Sequence, residues 1–249
     1  MEFFLIFVIG IVIGSFLNVC IYRIPNEESI AYPPSHCGNC NSQLKPLDLI
    51  PIFSYIFLRG RCRYCKLKIS IQYPIIELLN GVVYVLLYLK LGLTIEFVKL
   101  CVLVSLLIVI GIIDYKTKFV YRNTVIFGMV MGVIFISISS IMYKQNFYNY
   151  LLGAIIGFGV IFLIVILTRG MGEGDIEIAL ICGLFLGVQN IIVTLFLAFV
   201  IGGIVGIIIL LLKLKGKKEE IAFGPYLAIG ALIAMLFGNK IINLYLNMF

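Results

Sequence analysis

The sequence predicts an all-α polytopic membrane protein of about eight transmembrane helices, with one small soluble insert after the first helix. Three observations carry that prediction. Of 249 residues, 62% are hydrophobic and the mean hydropathy is +1.16, well above the half-apolar usage of soluble domains. The apolar residues come in runs of about 20, the length that crosses a hydrocarbon core. Only one long stretch, 22–74, is polar, and it holds six of the seven prolines. The expected division is a first transmembrane helix at 1–21, the insert at 22–74, and the remaining membrane domain at 75–249.

The first run, 3–21, lacks a basic n-region and a small-residue cleavage site, so it is expected to be a retained span and not a signal peptide. Further spans are expected at 75–91, 96–114, 123–143, 149–168, 175–188, 190–213 and 223–246. The pairs Gly10/Gly14, Gly128/Gly132, Gly153/Gly157, Gly183/Gly187 and Gly202/Gly206 have the four-residue spacing of close helix contacts. No internal repeat is expected. Basic residues set the topology. With the insert inside, Arg23, Lys45, Arg59, Arg61, Arg63, Lys66 and Lys68 are cytoplasmic, as are Lys116, Lys118 and Arg122. Arg169 and the group Lys213, Lys215, Lys217 and Lys218 fall on the same side, and only Lys90, Lys99, Lys144 and Lys240 fall outside. Both termini are then external. The net charge of +7 reads as this bias and as attraction to anionic membrane lipids, not as a nucleic-acid surface.

Within the insert, Cys37-Gly38-Asn39-Cys40 and Cys62-Arg63-Tyr64-Cys65 form a paired C-x-x-C array. Each turn presents two sulfurs to one side, and two turns complete a tetrahedron around one Zn²⁺. Disulfides are the competing reading, but a cytoplasmic insert is kept reduced. Four thiolates close the coordination shell, so the metal held by Cys37, Cys40, Cys62 and Cys65 is expected to be structural. Arg61, Arg63, Lys66 and Lys68 are placed to offset its negative charge. Cys20, Cys101 and Cys182 lie in apolar runs and act as small hydrophobes. His36 is the only histidine and reads as a solvated loop residue, which argues against histidine-based nucleophilic hydrolysis.

The most unusual apolar-to-polar break is Arg169-Gly170-Met171-Gly172-Glu173-Gly174-Asp175-Ile176-Glu177. Ionisable groups at a membrane boundary are costly unless paired or working. Gly172 and Gly174 allow positive φ and close approach of another segment. Asp175 has a bland reading as a helix N-cap, and Asp114, ending another span, could be solvated or paired with Lys116 or Lys118. The topology nevertheless puts both aspartates at one face, as a pair able to do acid/base chemistry. Helix dipoles suggest Asp175, at a helix start, as the base and Asp114, at a helix end, as the acid. Glu77 reads as a capping or ion-pairing residue.

These residues carry a resemblance that runs nearly end to end. Gly14-Ser15-Phe16-Leu17-Asn18-Val19-Cys20-Ile21-Tyr22-Arg23-Ile24-Pro25, the C-x-x-C pairs, Arg59-Gly60-Arg61-Cys62, Gln72-Tyr73-Pro74-Ile75-Ile76-Glu77-Leu78, Gly172-Glu173-Gly174-Asp175 and Phe223-Gly224-Pro225-Tyr226 together resemble the type IV prepilin peptidases. The resemblance implies an intramembrane aspartyl protease of the bacterial cell membrane. Such an enzyme cuts the short basic leader from prepilin or pseudopilin substrates after a glycine, at the cytoplasmic face. Asp114 and Asp175 match its catalytic pair. It also implies N-methylation of the new terminus with S-adenosylmethionine, a step to which the insert and Gly60 are tied by resemblance alone. Two positions depart from the family pattern: Glu177 replaces a usual lysine, and Tyr121 a usual proline. Two other function classes fit the same residues. One is a proton-coupled transporter using the aspartates as relays, and the other is a non-enzymatic zinc-anchored scaffold.

Overall fold

The computed structural model describes residues 1–143, 146–168, 170–212 and 221–247. Among the described residues every regular element is helical, and seven helices are long and apolar enough to cross a membrane. The basic residues Lys144, Arg169, Lys213, Lys215, Lys217 and Lys218, which enter the charge bias, lie outside the described residues. The chain divides into two compact units, Met1–Gly92 and Leu93–Phe249.

In the first unit, α1 (Glu2–Arg23) and α3 (Gln72–Leu91) pack side by side around the insert that joins them. Small residues allow the contact. A Cβ on Gly10 would stand 2.7 Å from the Gly81 Cα, and one on Gly14 2.7 Å from the Glu77 Cα. The Asn80 amide donates across this interface to the Gly10 carbonyl at 2.7 Å. An amide buried between apolar helices needs such a partner, because an unmet one costs on the order of 1–3 kcal/mol. A short helix, α2 (Phe53–Phe57), lies within the insert.

The second unit contains α4 (Ile95–Thr117), α5 (Arg122–Tyr143), α6 (Phe147–Thr168), α7 (Glu173–Leu211) and α8 (Gly224–Leu246). The Thr94 hydroxyl caps α4 by accepting the Phe97 N–H at 3.2 Å, and Lys118 ends it in the left-handed conformation. At 39 residues α7 would be about 58 Å long if straight, nearly twice a hydrocarbon core. It breaks at Gly187 (φ 73, ψ 179), and both Ala179 and Ile191 then border Gly157 of α6. The second half of α7 therefore runs back beside the first, which matches the two spans expected at 175–188 and 190–213.

Four of the five glycine pairs sit at helix contacts with both members. Gly153 and Gly183 meet backbone to backbone, whereas Gly206 of the fifth pair has open space around it. Spacing alone does not distinguish a packed glycine from a lipid-facing one. Ile178, Ala179, Ile181 and Cys182 of α7 are fully buried at the centre of this unit. Lys99 is also buried, paired with Glu96 at 2.6 Å and lying over the Tyr150 ring at 4.4 Å. Ser139 donates to the same Glu96 carboxylate, so an ion pair with a buried lysine and a partly exposed glutamate joins α4, α5 and α6.

Candidate active site and metal centre

Asp114 lies one turn before the end of α4 and Asp175 in the first turn of α7, and each is only 5% exposed. Three contacts draw them together. The loop after α4 places Val120 against Gly174, where any Cβ would collide with it. Gly224, the first residue of α8, fits between Asp114 and Ile178, and a Cβ there would stand 2.6 Å from an Asp114 carboxylate oxygen. Ile178 is one helical turn beyond Asp175. The two carboxylates are within electrostatic reach of each other.

Each carboxylate also accepts a backbone N–H at the start of a helix. Gly224 donates to Asp114 at 2.9 Å, and Gly172 donates to Asp175 at 3.2 Å. This bears on two readings. Asp175 is not itself the N-cap but caps α7 from its third position, accepting the N–H of the N-cap residue Gly172. Nor do helix ends divide the roles of acid and base, because α8 turns its positive end toward Asp114 just as α7 does toward Asp175. Long-range packing, invisible in the sequence, cancelled the local argument. Positive φ is also not what the loop glycines supply: Gly172 has φ −74, and Gly174 provides room for Val120. Glu177 is exposed while Asp175 is buried, as expected for positions two apart on a helix.

In the insert, the sulfurs of Cys37, Cys40, Cys62 and Cys65 all lie within 4.8 Å of one another. A tetrahedron with metal–sulfur bonds of about 2.3 Å has sulfurs about 3.8 Å apart. The Cys37–Cys65 separation of 3.9 Å fits this spacing, so the donor set suits one Zn²⁺. His36 is outside the cluster and meets the Pro34 carbonyl through Nδ1 at 3.2 Å. Hydrogen bonds to Ser42, from its side chain first and its backbone second, draw the Cys40 thiol down to about 6, whereas the Cys65 thiol, where a backbone hydrogen bond at Leu67 is outweighed by burial and the neighbouring sulfurs, is pushed up to about 11.

The two C-x-x-C turns are built alike. In the first, Cys37 N–H donates to Ser42, Asn41 N–H to Cys37 and Leu44 N–H to Ser35. In the second, Cys62 N–H donates to Leu67, Lys66 N–H to Cys62 and Ile69 N–H to Gly60. Asn41 and Lys66 share positive φ, and the bridges His36–Gln43 and Arg61–Lys68 correspond. Only the cysteines and the apolar residue four beyond the second one repeat in sequence, so the signal was short.

Asp48 braces the second turn, accepting from Arg63 at 2.5 Å and from the Tyr64 hydroxyl at 3.2 Å. Burial alone would raise its carboxyl, but these partners and the Lys45 N–H hold it below the usual carboxylate range. Gly60 has φ +65, and a Cβ there would stand 2.9 Å from the Tyr55 ring and hydroxyl. Glu77, read from sequence as a cap or ion-pairing residue, is buried and accepts the Ile52 N–H at 2.7 Å.

Comparison with known proteins bears on both regions. Residues 8–91 match the bacterial peptidase A24 N-terminal domain, and residues 101–207 match the type IV leader peptidase family. The prepilin leader peptidase/N-methyltransferase of Bacillus subtilis is 32% identical, with 98% of each chain covered. That of Aeromonas hydrophila is 30% identical over 100% of this chain and 95% of its own. That of Myxococcus xanthus is 34% identical over 83% of this chain and 62% of its own. No solved structure matches. With a fold of membrane helices and a four-cysteine insert, the chain belongs to the prepilin leader peptidase/N-methyltransferase family.

Proposed function

We propose that this membrane protein is an aspartic endopeptidase that cuts the short basic leader from prepilin-like proteins after a glycine, using Asp114 and Asp175. The observation that carries the reading is the convergence of two buried carboxylates from separate helices, each fixed by a backbone N–H. One carboxylate, ionised, takes a proton from water as the water attacks the scissile carbonyl. The other, protonated, donates to the carbonyl oxygen, and like charges held close favour such sharing of one proton. The tetrahedral intermediate then collapses as the leaving amine gains a proton. No covalent enzyme intermediate is required. Gly172 and Gly174 hold the loop in place. The excess of basic residues beside the spans puts this face in the cytoplasm.

Cys37, Cys40, Cys62 and Cys65 would hold one Zn²⁺ whose closed shell serves the fold of the insert. The new amino terminus is the proposed acceptor of a methyl group, which S-adenosylmethionine supplies when bound. Gly60 serves that step indirectly, by leaving Tyr55 its place. Mass spectrometry of a prepilin-like substrate's N-terminus after incubation with purified protein tests the peptidase reading. Wild-type protein should release the mature terminus, and folded Asp114→Asn and Asp175→Asn proteins should not. Near-normal cleavage by either variant would remove the aspartyl mechanism.

A further inference from the structure

The insert carries a helix with its apolar side outward. In α2, Ser54 and Tyr55 turn inward with Leu58 and line a cavity of about 550 Å³ between the insert and the adjoining ends of α1 and α3. Phe53, Ile56 and Phe57, at the i, i+3 and i+4 positions that share one helix face, are 56%, 62% and 83% exposed. Leu49 and Ile50, just before them, are exposed as well. A soluble domain would reverse this arrangement, and so dense an outward apolar patch calls for an apolar surrounding.

The depth of the helix says which surrounding. The Ile52 N–H, at the start of α2, is held by the Glu77 carboxylate at 2.7 Å. Glu77 is five residues into α3, about 7–8 Å along that span from Gln72. On α1 the Glu77 Cα packs against Gly14, nine residues before that span ends at Arg23. α2 therefore starts beside the ends of two apolar spans and not above them. Tyr22 and Tyr73, both exposed, stand at those ends, where aromatic side chains meet the headgroup layer. After α2 come Arg59, Arg61, Arg63, Lys66 and Lys68, all exposed, and residues 49–76 contain no acid.

We infer that α2 is an interfacial helix. Phe53, Ile56 and Phe57 enter the acyl boundary of the leaflet around α1 and α3, and the cations that follow meet the phosphates of anionic lipid. Interfacial helices lie about 5–10 Å into that boundary, which is the depth at which Glu77 holds Ile52. The Gly60 N–H donates to the Tyr55 carbonyl at 2.8 Å, tying α2 to the second C-x-x-C turn. The lipid contact thus seats the cysteine cluster at the membrane. This inference goes beyond the peptidase reading and does not depend on it.

The chain has no tryptophan, so one placed on α2 reports that face alone. Full-length Phe57→Trp protein, shown to be folded by its thermal unfolding profile, would be reconstituted in vesicles of phosphatidylcholine and phosphatidylglycerol. Their acyl chains would be brominated at shallow or at deep carbons. Shallow bromine should quench the emission most, deep bromine less, and the aqueous quencher acrylamide least. Quenching by acrylamide with none by brominated lipid would overturn the assignment. So would a probe open to acrylamide until a prepilin-like peptide is added, because the face would then belong to substrate. Replacing phosphatidylglycerol by phosphatidylcholine should increase acrylamide access, and unchanged access would overturn the role given to the cations. Should Phe57→Trp fail to fold, Ile56→Trp gives the same readout from the same face.

Discussion

The four-cysteine cluster and the aspartate pair are assembled on opposite principles. Each C-x-x-C turn is closed by backbone hydrogen bonds within a stretch of ten residues, from Ser35 to Leu44 and from Gly60 to Ile69. Geometry there is local, and the same hydrogen bonds recur with different intervening side chains. The aspartates are held from afar: the donor to Asp114 is Gly224, 110 residues away, and Asp175 depends on a loop seated by Val120 against Gly174. A local site should fail when a ligand is removed and tolerate distant change. An assembled site should fail when a packing contact far from the chemistry is disturbed.

The largest expected effect is loss of an acid. Asp114→Asn or Asp175→Asn should lower kcat/KM for leader cleavage by about 10³-fold or more, measured on peptide substrate, while metal content stays at wild-type level. Gly224→Ala probes the same site from α8. The added methyl must displace Asp114 or α8, and a misplacement of about 1 Å should cost about 10²-fold in cleavage without touching the metal. Unimpaired cleavage in Gly224→Ala would mean that the pair is not held by α8. Conversely, Cys62→Ser should release the metal and lower the melting temperature of the insert, because binding and folding free energy are linked in small metal modules. Metal analysis and calorimetry would show it, and cleavage should fall less than methyl transfer.

The smallest expected effect is at Asp48. Its carboxyl is held below the usual range in the folded insert, so its contribution to stability is present above that usual value. That contribution is lost as pH falls through the lower, folded value. Arg63 is 48% exposed, so the pair should be worth about 1 kcal/mol or less. Asp48→Asn should therefore lower the melting temperature slightly at neutral pH, and the difference should vanish in strong acid. A difference that grows on acidification would assign Asp48 another role.

The same contrast decides what the sequence made legible. The cysteine cluster was readable because its ligands and turns are local, and the pair of spans around Gly187 was readable because its hydropathy pattern is local. Asp114 and Asp175 were identifiable as ionisable residues ending apolar runs. Their arrangement was not, because the partner that sets Asp114 opens a different helix and carries no side chain of its own. Gly206 shows the opposite failure, a correct-looking spacing with nothing packed on it. Glu77 was visible as a residue, but its burial beside a cavity depends on how the insert closes over α1 and α3.

Whether the two aspartates act as one unit is decided by a double-substitution cycle. Leader cleavage would be measured for wild-type, Asp114→Asn, Asp175→Asn and the doubly substituted protein, each shown to be folded by its metal content. Groups that share one proton in one step are removed together when either is lost, so the double variant should be no slower than the slower single variant. Losses that multiply in the double variant would mean that the carboxylates act independently and do not share one proton.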